Sequence, residues 1–506
     1  MIGIYALRND RNRVTRKNLY RDQDMIDNSH MTQRRTKIIA TIGPACEDPV
    51  VMKNMIEAGM DVARLNLSHG NIEEHLERVK QLRDIADQIN KPLGIMADLP
   101  GPKVRLGQFD EPVELDIDDE ILLEPGLENS TSDLFMVGYE SLLTDMQIGD
   151  KLAIGDGSIV LQVIDHTQNA LKARILYGGT VQGRPGLHVP SDRLKITTPT
   201  PQDLRYLDAM VEADIDMIAL SFVRSAHDVR RVGLEAAPRG PLVVAKIETK
   251  AAIENLAGIT MESGAVMVAR GDLGTECSLQ DLPHLQKDII AQCIALGRPA
   301  ITATQMLESM INAPMPTRAE ASDVANAVFD GTSAIMLSAE TAIGRNPAHV
   351  VSTMAKIARR ADQEFKYDSW AEDLKRDRLG EPQSEDSAVT DVMTMATWQA
   401  AKEMRAAAIV CISRSGFTVR AIARFRPESP IIAFSPEDRA VRQLTMSWGA
   451  TPYKIDRIGE TDETISEVLE FAKEKGHLST GDLVAVLGGS SANIGATDNL
   501  RMVRCP

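Results

Sequence analysis

Largely apolar runs of four or five residues recur along the chain, each closing on a polar tip. Residues 242–245 run into Lys246, Ile247 and Glu248, residues 265–269 into Arg270, Gly271 and Asp272, and residues 300–303 into Thr304 and Gln305. Runs this short, bounded by polar and turn residues, predict strands buried on both faces of a parallel sheet. The same pattern predicts strands at 36–41, 61–68, 93–97, 217–222 and 334–337. Between them apolar positions fall at helical spacing, as in Ile72, Leu76, Val79, Leu82, Ile85 and Ile89. That spacing predicts helices near 48–58, 71–90, 202–213, 226–237, 249–262, 280–296, 318–329 and 347–364.

The alternation breaks between residues 104 and 189, where the text is strand-like and turn-rich with no long helical pattern. This predicts a small β domain inserted into the first domain. Three strands precede the insert and five follow it. Eight regular β/α units predict a (β/α)₈ barrel, with a doubly wound open sheet as the alternative. The barrel is assigned to 35–101 and 194–365, and the insert to 102–193. Residues 366–386 are polar and suit a linker. Residues 387–506 alternate helix and strand again and predict a C-terminal α/β domain.

At 506 residues the chain has room for several domains, and its 43% hydrophobic content is that of an ordinary globular protein. No apolar run approaches the roughly 18 residues of a membrane span. The formal charge of −16 argues against general nucleic-acid or anionic-membrane binding, though not against a phosphate ligand held by a few local cations. Five scattered cysteines read as reduced thiols of a cytoplasmic protein. Residues 1–34 are rich in Arg and Asn without an apolar stretch. They read as a flexible arm, or Met31 is the natural start.

The strand tips carry the candidate chemistry. In a (β/α)₈ barrel, function sits at the C-terminal strand ends. Glu248 and Asp272 are hard oxygen donors suited to sharing one Mg²⁺, with helix capping or an ion pair as the alternative for either alone. Lys246 lies two residues before Glu248, so the two side chains share a face. An ammonium there can stabilise a transferring phosphoryl group or an enolate, or form a structural ion pair. Arg64 ends another strand and suits phosphate. Gly271 and Gly274 permit a tight turn with free N–H groups. In the C-terminal domain, Ser413, Arg414, Ser415, Gly416, Phe417 and Thr418 join a strand to a helix start. They form either an anion nest or an ordinary capped turn, and the loop at 488–497 is placed to cover a ligand there.

Together these segments resemble the pyruvate kinase family, in its bacterial type. The segments are TKIIATIGPA at 36–45, RLNLSHG at 64–70, AKIE at 245–248, ARGDLG at 269–274, ATQMLESM at 303–310, PTRAE at 316–320 and MLSAET at 336–341, in family order. The resemblance implies a phosphotransferase that moves the phosphoryl group of phosphoenolpyruvate to ADP, giving pyruvate and ATP. It implies Mg²⁺, replaceable by Mn²⁺, on Glu248 and Asp272. Arg64 and Lys246 would hold the phosphoryl group. The turn at Ala269, Arg270, Gly271 and Asp272 would present N–H groups to the substrate carboxylate, with Ser338 also at the substrate. Thr304 would assist protonation through water. Asn66, His69 and Arg105 would meet the nucleotide. The β insert would close as a lid. A phosphorylated allosteric effector at 413–418 and a homotetramer are implied too.

The third strand departs from the family. Residues 98–105 read DLPGPKVR. Many relatives read Asp-Thr-Lys-Gly-Pro-Glu there and need K⁺, held by groups corresponding to Asn66, Ser68, Asp98 and the backbone of Leu99. Lys103 replaces the Glu and brings a mobile positive charge. The expectation is an enzyme that does not require K⁺, with Lys103 in a catalytic role. The alternative is that Lys103 points into solvent. A Mg²⁺-dependent lyase or aldolase of pyruvate-type substrates is the competing function on the same barrel.

Overall fold

The structure is a computed structural model that describes residues 34–155, 157–377, 385–489 and 497–506. The N-terminal arm, up to residue 33, and residues 490–496 of the 488–497 loop lie outside these. Eight parallel strands close into a barrel: Lys37–Ile42, Val62–Asn66, Gly94–Asp98, Met217–Leu220, Leu242–Ile247, Ala265–Ala269, Ala300–Ala303 and Ala334–Leu337. Here they are numbered first to eighth. The first pairs with the eighth, Ala40 opposite Leu337, so the sheet has no edge and the open-sheet alternative is excluded. Thr41 Oγ1 donates to Leu337 O at 2.8 Å and Thr341 Oγ1 donates to Thr41 O at 2.8 Å, pinning that seam above its last ladder pair.

Burial on both faces explains the apolar runs. Outward residues such as Ile38, Leu65 and Ile218 pack under the helices. Inward residues such as Ile39, Val62, Met96, Met217, Met267 and Met336 fill the interior. Four methionines there suit a tapering space, because a flexible thioether fills irregular gaps. Each large aliphatic side chain fully removed from water stabilises the fold by roughly 1.5–3 kcal/mol.

The insert is a separate β unit. A six-stranded sheet runs in the order Leu187–His188, Lys151–Ile154, Ile159–His166, Leu171–Tyr177, Glu120–Pro125, Leu134–Val137, beside a pair formed by Phe109–Leu115 and Gly179–Gly183. Its core has its own apolar cluster, with Phe109 and Phe135 edge to face at 4.9 Å. The C-terminal domain is a five-stranded sheet, parallel except for its last strand, Asn499–Arg504. It docks under the barrel floor. Lys37 Nζ donates to Ala450 O at 2.7 Å, and Arg442 Nε meets Asp216 Oδ1 at 2.6 Å.

Two expectations are corrected. The predicted helix over 226–237 stops at Arg230, and Gly233 turns the chain at φ +66. The presumed linker holds the helix Tyr367–Asp377. Ala371 and Leu374 repeat at one helical turn and are buried in the C-terminal core, and Trp370 Nε1 donates to Arg424 O at 2.9 Å. Polar composition hid a short apolar stripe. The five cysteines are free, and burial raises the Cys46 thiol to about 11 and Cys293 to about 12. Among the described residues no helix is long and apolar enough to cross a membrane.

Candidate active site

Lys246 is the hub of the rim. Strand alternation turns it and Glu248 to the same side. Its Nζ lies 2.7 Å from Glu248 Oε1 and 3.4 Å from Asp98 Oδ1, and donates to Ser221 Oγ at 2.8 Å. Burial pulls the ammonium down. The carboxylates of Asp98, Glu248 and Asp272 overcome burial and the opposing Arg64, and hold it above its ordinary value. Lys246 is therefore a fixed cation throughout the physiological range.

Glu248 is 1% exposed. Its Oε2 accepts the N–H of Phe222 at 2.6 Å, from a backbone held at φ +55. Burial raises its carboxyl to about 7; Lys246 opposes that and the nearby Asp272 adds to it. Its Oε1 lies 2.7 Å from the Lys246 ammonium. A buried carboxylate whose acceptor Oε1 meets only a cation, beside the second carboxylate of Asp272 on the same cleft, fits a hard divalent cation. Among the described residues no third His, Cys, Asp or Glu completes a metal cluster. The remaining positions would fall to substrate oxygens and water.

Arg64 is committed to the barrel. Its Nε donates to Asp98 Oδ2 at 2.7 Å and its Nη1 to Thr41 Oγ1 at 2.9 Å. Asp98 is buried. Desolvation works against its charge, but Lys246, Arg64 and Lys103 hold its carboxyl below the usual range. The groups expected at a K⁺ site each have an internal partner here. Leu99 O accepts from Ser221 Oγ at 2.7 Å, Asn66 Oδ1 accepts from Ser68 N at 3.2 Å, and Lys103 Nζ donates to Ser68 Oγ at 3.3 Å. Asn71 caps the helix Ile72–Gln88, accepting from Glu74 N at 2.9 Å. Surrounding protein and Lys246 lower the Lys103 ammonium, while Asp272, Glu248 and Asp98 oppose them. Its side chain stays solvent-accessible, so water screens part of this.

The sixth and seventh strands interlock. Thr304 sits at φ +72 and Gln305 at φ +54, a conformation a β-branched residue rarely adopts. Gly271 N donates to Thr304 Oγ1 at 2.9 Å, and Thr304 Oγ1 donates to Ala303 O at 2.6 Å. One N–H of the turn beginning at Ala269 is thus spent on Thr304 rather than facing a carboxylate. The Arg270 side chain turns away from the rim to Asp323 Oδ2 at 2.8 Å and Thr304 O at 2.6 Å. It positions the seventh strand end. Thr304, Gly271, Asp272 and Ser338 line one recess.

The lid completes the site. A cleft of about 240 Å³ lies between it and the rim, lined by His69, Lys103, Arg105, His188, Glu248 and Asp272 among others. Burial, Lys103, Arg105 and Arg64 lower the His69 imidazole, leaving it neutral at pH 7. Arg105 stands at the hinge, with Nη1 on Arg184 O at 3.3 Å. Ser191 latches the lid to the barrel through its N and Oγ to Glu276 at 3.0 and 2.7 Å, and His188 Nδ1 approaches Asp272 Oδ1 at 3.9 Å.

Ser221, Phe222, His188 and Glu276 escaped sequence reading. A serine after a strand is commonplace, a backbone N–H has no sequence signature, and the other two gain meaning only when lid meets barrel. Ser221→Ala removes the neutral acceptor that aims Lys246. A hydrogen bond to a charged group contributes about 1.5–3 kcal/mol. We expect kcat to fall roughly tenfold or more, with the melting temperature lowered by the loss of the hydrogen bond to Leu99 O, and unchanged kcat would remove Ser221 from the positioning network.

In the C-terminal domain the loop 413–418 leads into the helix Phe417–Ala423 through Gly416 at φ +73. Thr418 Oγ1 meets Thr497 Oγ1 at 2.8 Å, and Phe417 N donates to Ser415 Oγ at 3.4 Å.

Comparison with known proteins gives one answer. Residues 33–351 match the family described as pyruvate kinase, barrel domain, and residues 391–503 match pyruvate kinase, alpha/beta domain. Pyruvate kinase 2 of Synechocystis sp. is 39% identical over 93% of this chain and 79% of its own. Pyruvate kinase of Clostridium acetobutylicum is 37% identical over 93% of this chain and 99% of its own. The crystal structure of a pyruvate kinase from Cryptosporidium parvum superposes with a TM-score of 0.85 at 32% identity, covering 95% of this chain and 98% of that one. Matched in both domains, and aligned with relatives across nearly its whole length, the chain belongs to the pyruvate kinase family.

Proposed function

We propose that the rim cluster transfers the phosphoryl group of phosphoenolpyruvate to ADP, giving pyruvate and ATP, with the roles of this chain's residues as follows. The chain is a phosphotransferase, and the comparisons give no support to the lyase alternative. The observation that carries the residue assignment is Lys246, a buried cation fixed by Ser221, Asp98 and Glu248 within the electrostatic reach of Asp272.

Phosphoryl transfer needs positioning and neutralisation of spread negative charge. Lys246 supplies a fixed charge at the transferring group, and Arg64 a second. Glu248 and Asp272 would hold Mg²⁺, which when bound draws the phosphoryl and substrate oxygens together. The Thr304 hydroxyl, its proton committed to Ala303 O, orders the water that protonates the enolate carbon. Asn66, His69 and Arg105 meet the nucleotide, Ser338 and the turn from Ala269 to Asp272 the substrate, and the Ser191–Glu276 latch keeps bulk water out.

Members of the family use Mg²⁺ and K⁺. Lys103, on Ser68 and among three carboxylates, supports a Mg²⁺ requirement without K⁺. A phosphorylated effector near 413–418, a homotetramer and a cytoplasmic setting are further parts of this reading. The direct test is pyruvate formation with ADP varied. Turnover should vanish without ADP and be restored by it; pyruvate release independent of ADP would overturn the reading.

A further inference from the structure

The lid meets the barrel along one short helix, and that helix carries Asp272. It spans Arg270–Glu276 and follows the sixth strand. Asp272 and Glu276 lie four residues apart on it and so share a face. The lid edge from His188 to Ser191 meets the same two residues. Ser191 N and Oγ donate to the Glu276 carboxylate at 3.0 and 2.7 Å, and His188 Nδ1 lies 3.9 Å from Asp272 Oδ1. Gly157 of the lid comes so close to the same helix that a Cβ there would lie 3.0 Å from Thr275 Cγ2. His188 lines both recesses of the cleft, the one with Lys103 and Glu248 and the one with Thr304 and Ser338.

The lid also fixes which way the His188 ring is protonated. The segment Leu187–His188 pairs with the strand Lys151–Ile154, His188 opposite Ala153. Its Nε2 lies 3.0 Å from Gly155 O. A carbonyl oxygen accepts and cannot donate, so Nε2 carries the proton. In the neutral ring Nδ1 is then an acceptor. Asp272 Oδ1 is an acceptor too. Two facing acceptors attract one another only through a donor or a cation held between them, and the distance decides which. Neighbouring ligands on Mg²⁺, with bonds of about 2.1 Å in octahedral geometry, stand about 3.0 Å apart. At 3.9 Å the two groups are too far apart to ligate side by side. The spacing suits one water between them, about 2.8 Å from each. Mg²⁺ in proteins keeps several of its waters, so the ion itself supplies such a donor.

We infer that His188 is the lid's contact with the bound metal, its Nδ1 accepting a hydrogen bond from a water of the divalent cation held by Glu248 and Asp272, so that metal binding draws the lid shut. The inference rests on the metal placement proposed above. Partners one shell out from a metal ion carry about 10–100-fold in metal affinity. The Ser191–Glu276 latch sets where the lid edge sits, and His188 makes that position more stable when the ion is present. An ion that binds better to the closed lid shifts the population toward closure.

The test uses the full chain with Mn²⁺ alone, without substrates, at constant pH and ionic strength. Free Mn²⁺ is counted by electron paramagnetic resonance, and closure is read as slowed amide hydrogen exchange at residues 187–191. His188→Phe keeps a ring and offers no acceptor; it should weaken Mn²⁺ binding at least tenfold and abolish the Mn²⁺-induced slowing. His188→Asn places an amide oxygen where Nδ1 stood and should recover most of both. Glu248→Gln, which alters the ion's own ligand, is the reference and should weaken binding in its own right. Unchanged binding in His188→Phe with weakened binding in Glu248→Gln would overturn this inference and leave the metal placement standing. Unchanged binding in both would overturn both. Tighter binding in His188→Phe would show the ring to be a countercharge for Asp272, and equal loss in the Phe and Asn variants would trace the effect to packing; either result overturns the inference.

Discussion

Lys246→Met should lower kcat by about 10³-fold or more while the protein stays folded. Removing one preorganised charge-stabilising group from an active site costs about 10²–10³ in rate. Lys246 faces the site as a buried ammonium, 8% exposed, and no neighbour among the described residues is placed to substitute. Arg64 supplies the second charge from its own place, held by Asp98 and Thr41, and Lys103 stands on the rim at Ser68. The fold tolerates the loss because Asp98 keeps Arg64, and Glu248, already raised by burial, takes up a proton when its cation is gone. An interaction specific to the transition state lowers kcat and kcat/KM together, so KM for phosphoenolpyruvate should hardly move. Lys246→Arg should not rescue, because a planar fork cannot fit the space between Ser221, Asp98 and Glu248. The measurements are a coupled pyruvate assay and thermal melting. Near-normal turnover by the methionine variant would overturn the mechanism.

The barrel was legible because its strands are buried on both faces, which leaves short apolar runs with polar ends. Lys246 and Glu248 were legible for a related reason: alternation puts residues two apart on one face. What sequence could not show depends on closure. Ser221 becomes a ligand of Lys246 only when the fourth strand lies beside the fifth. Arg270, read as part of the substrate turn, is captured by Asp323 from a helix 53 residues onward. The helix Tyr367–Asp377 was missed because a three-residue apolar stripe, Trp370, Ala371 and Leu374, is too short to outweigh charged neighbours.

Lys103→Glu should turn a K⁺-indifferent enzyme into a K⁺-dependent one. The rim holds the carboxylates of Asp98, Glu248 and Asp272 within the electrostatic reach of Lys103. Exchanging the ammonium for a carboxylate changes the local charge by two units, in a partly enclosed cleft where such changes are felt more than in water. Ser68 Oγ loses its cation and, with the adjoining Asn66 and Leu99 carbonyl region, becomes free to accept K⁺. At constant ionic strength with tetramethylammonium as the inert cation, the parent should change less than twofold on adding K⁺. The variant should fall about 10–100-fold without K⁺, a loss of about 1.4–2.7 kcal/mol at a tenfold per 1.36 kcal/mol, and recover most of it with K⁺. Lys103→Met separates charge from occupancy: it should lose activity without K⁺ and regain only part, because no carboxylate recruits the ion. Both arms follow from one electrostatic requirement, a monovalent positive charge beside Ser68 during phosphoryl transfer. Strong activation of the parent enzyme by K⁺ would show that Lys103 does not meet it.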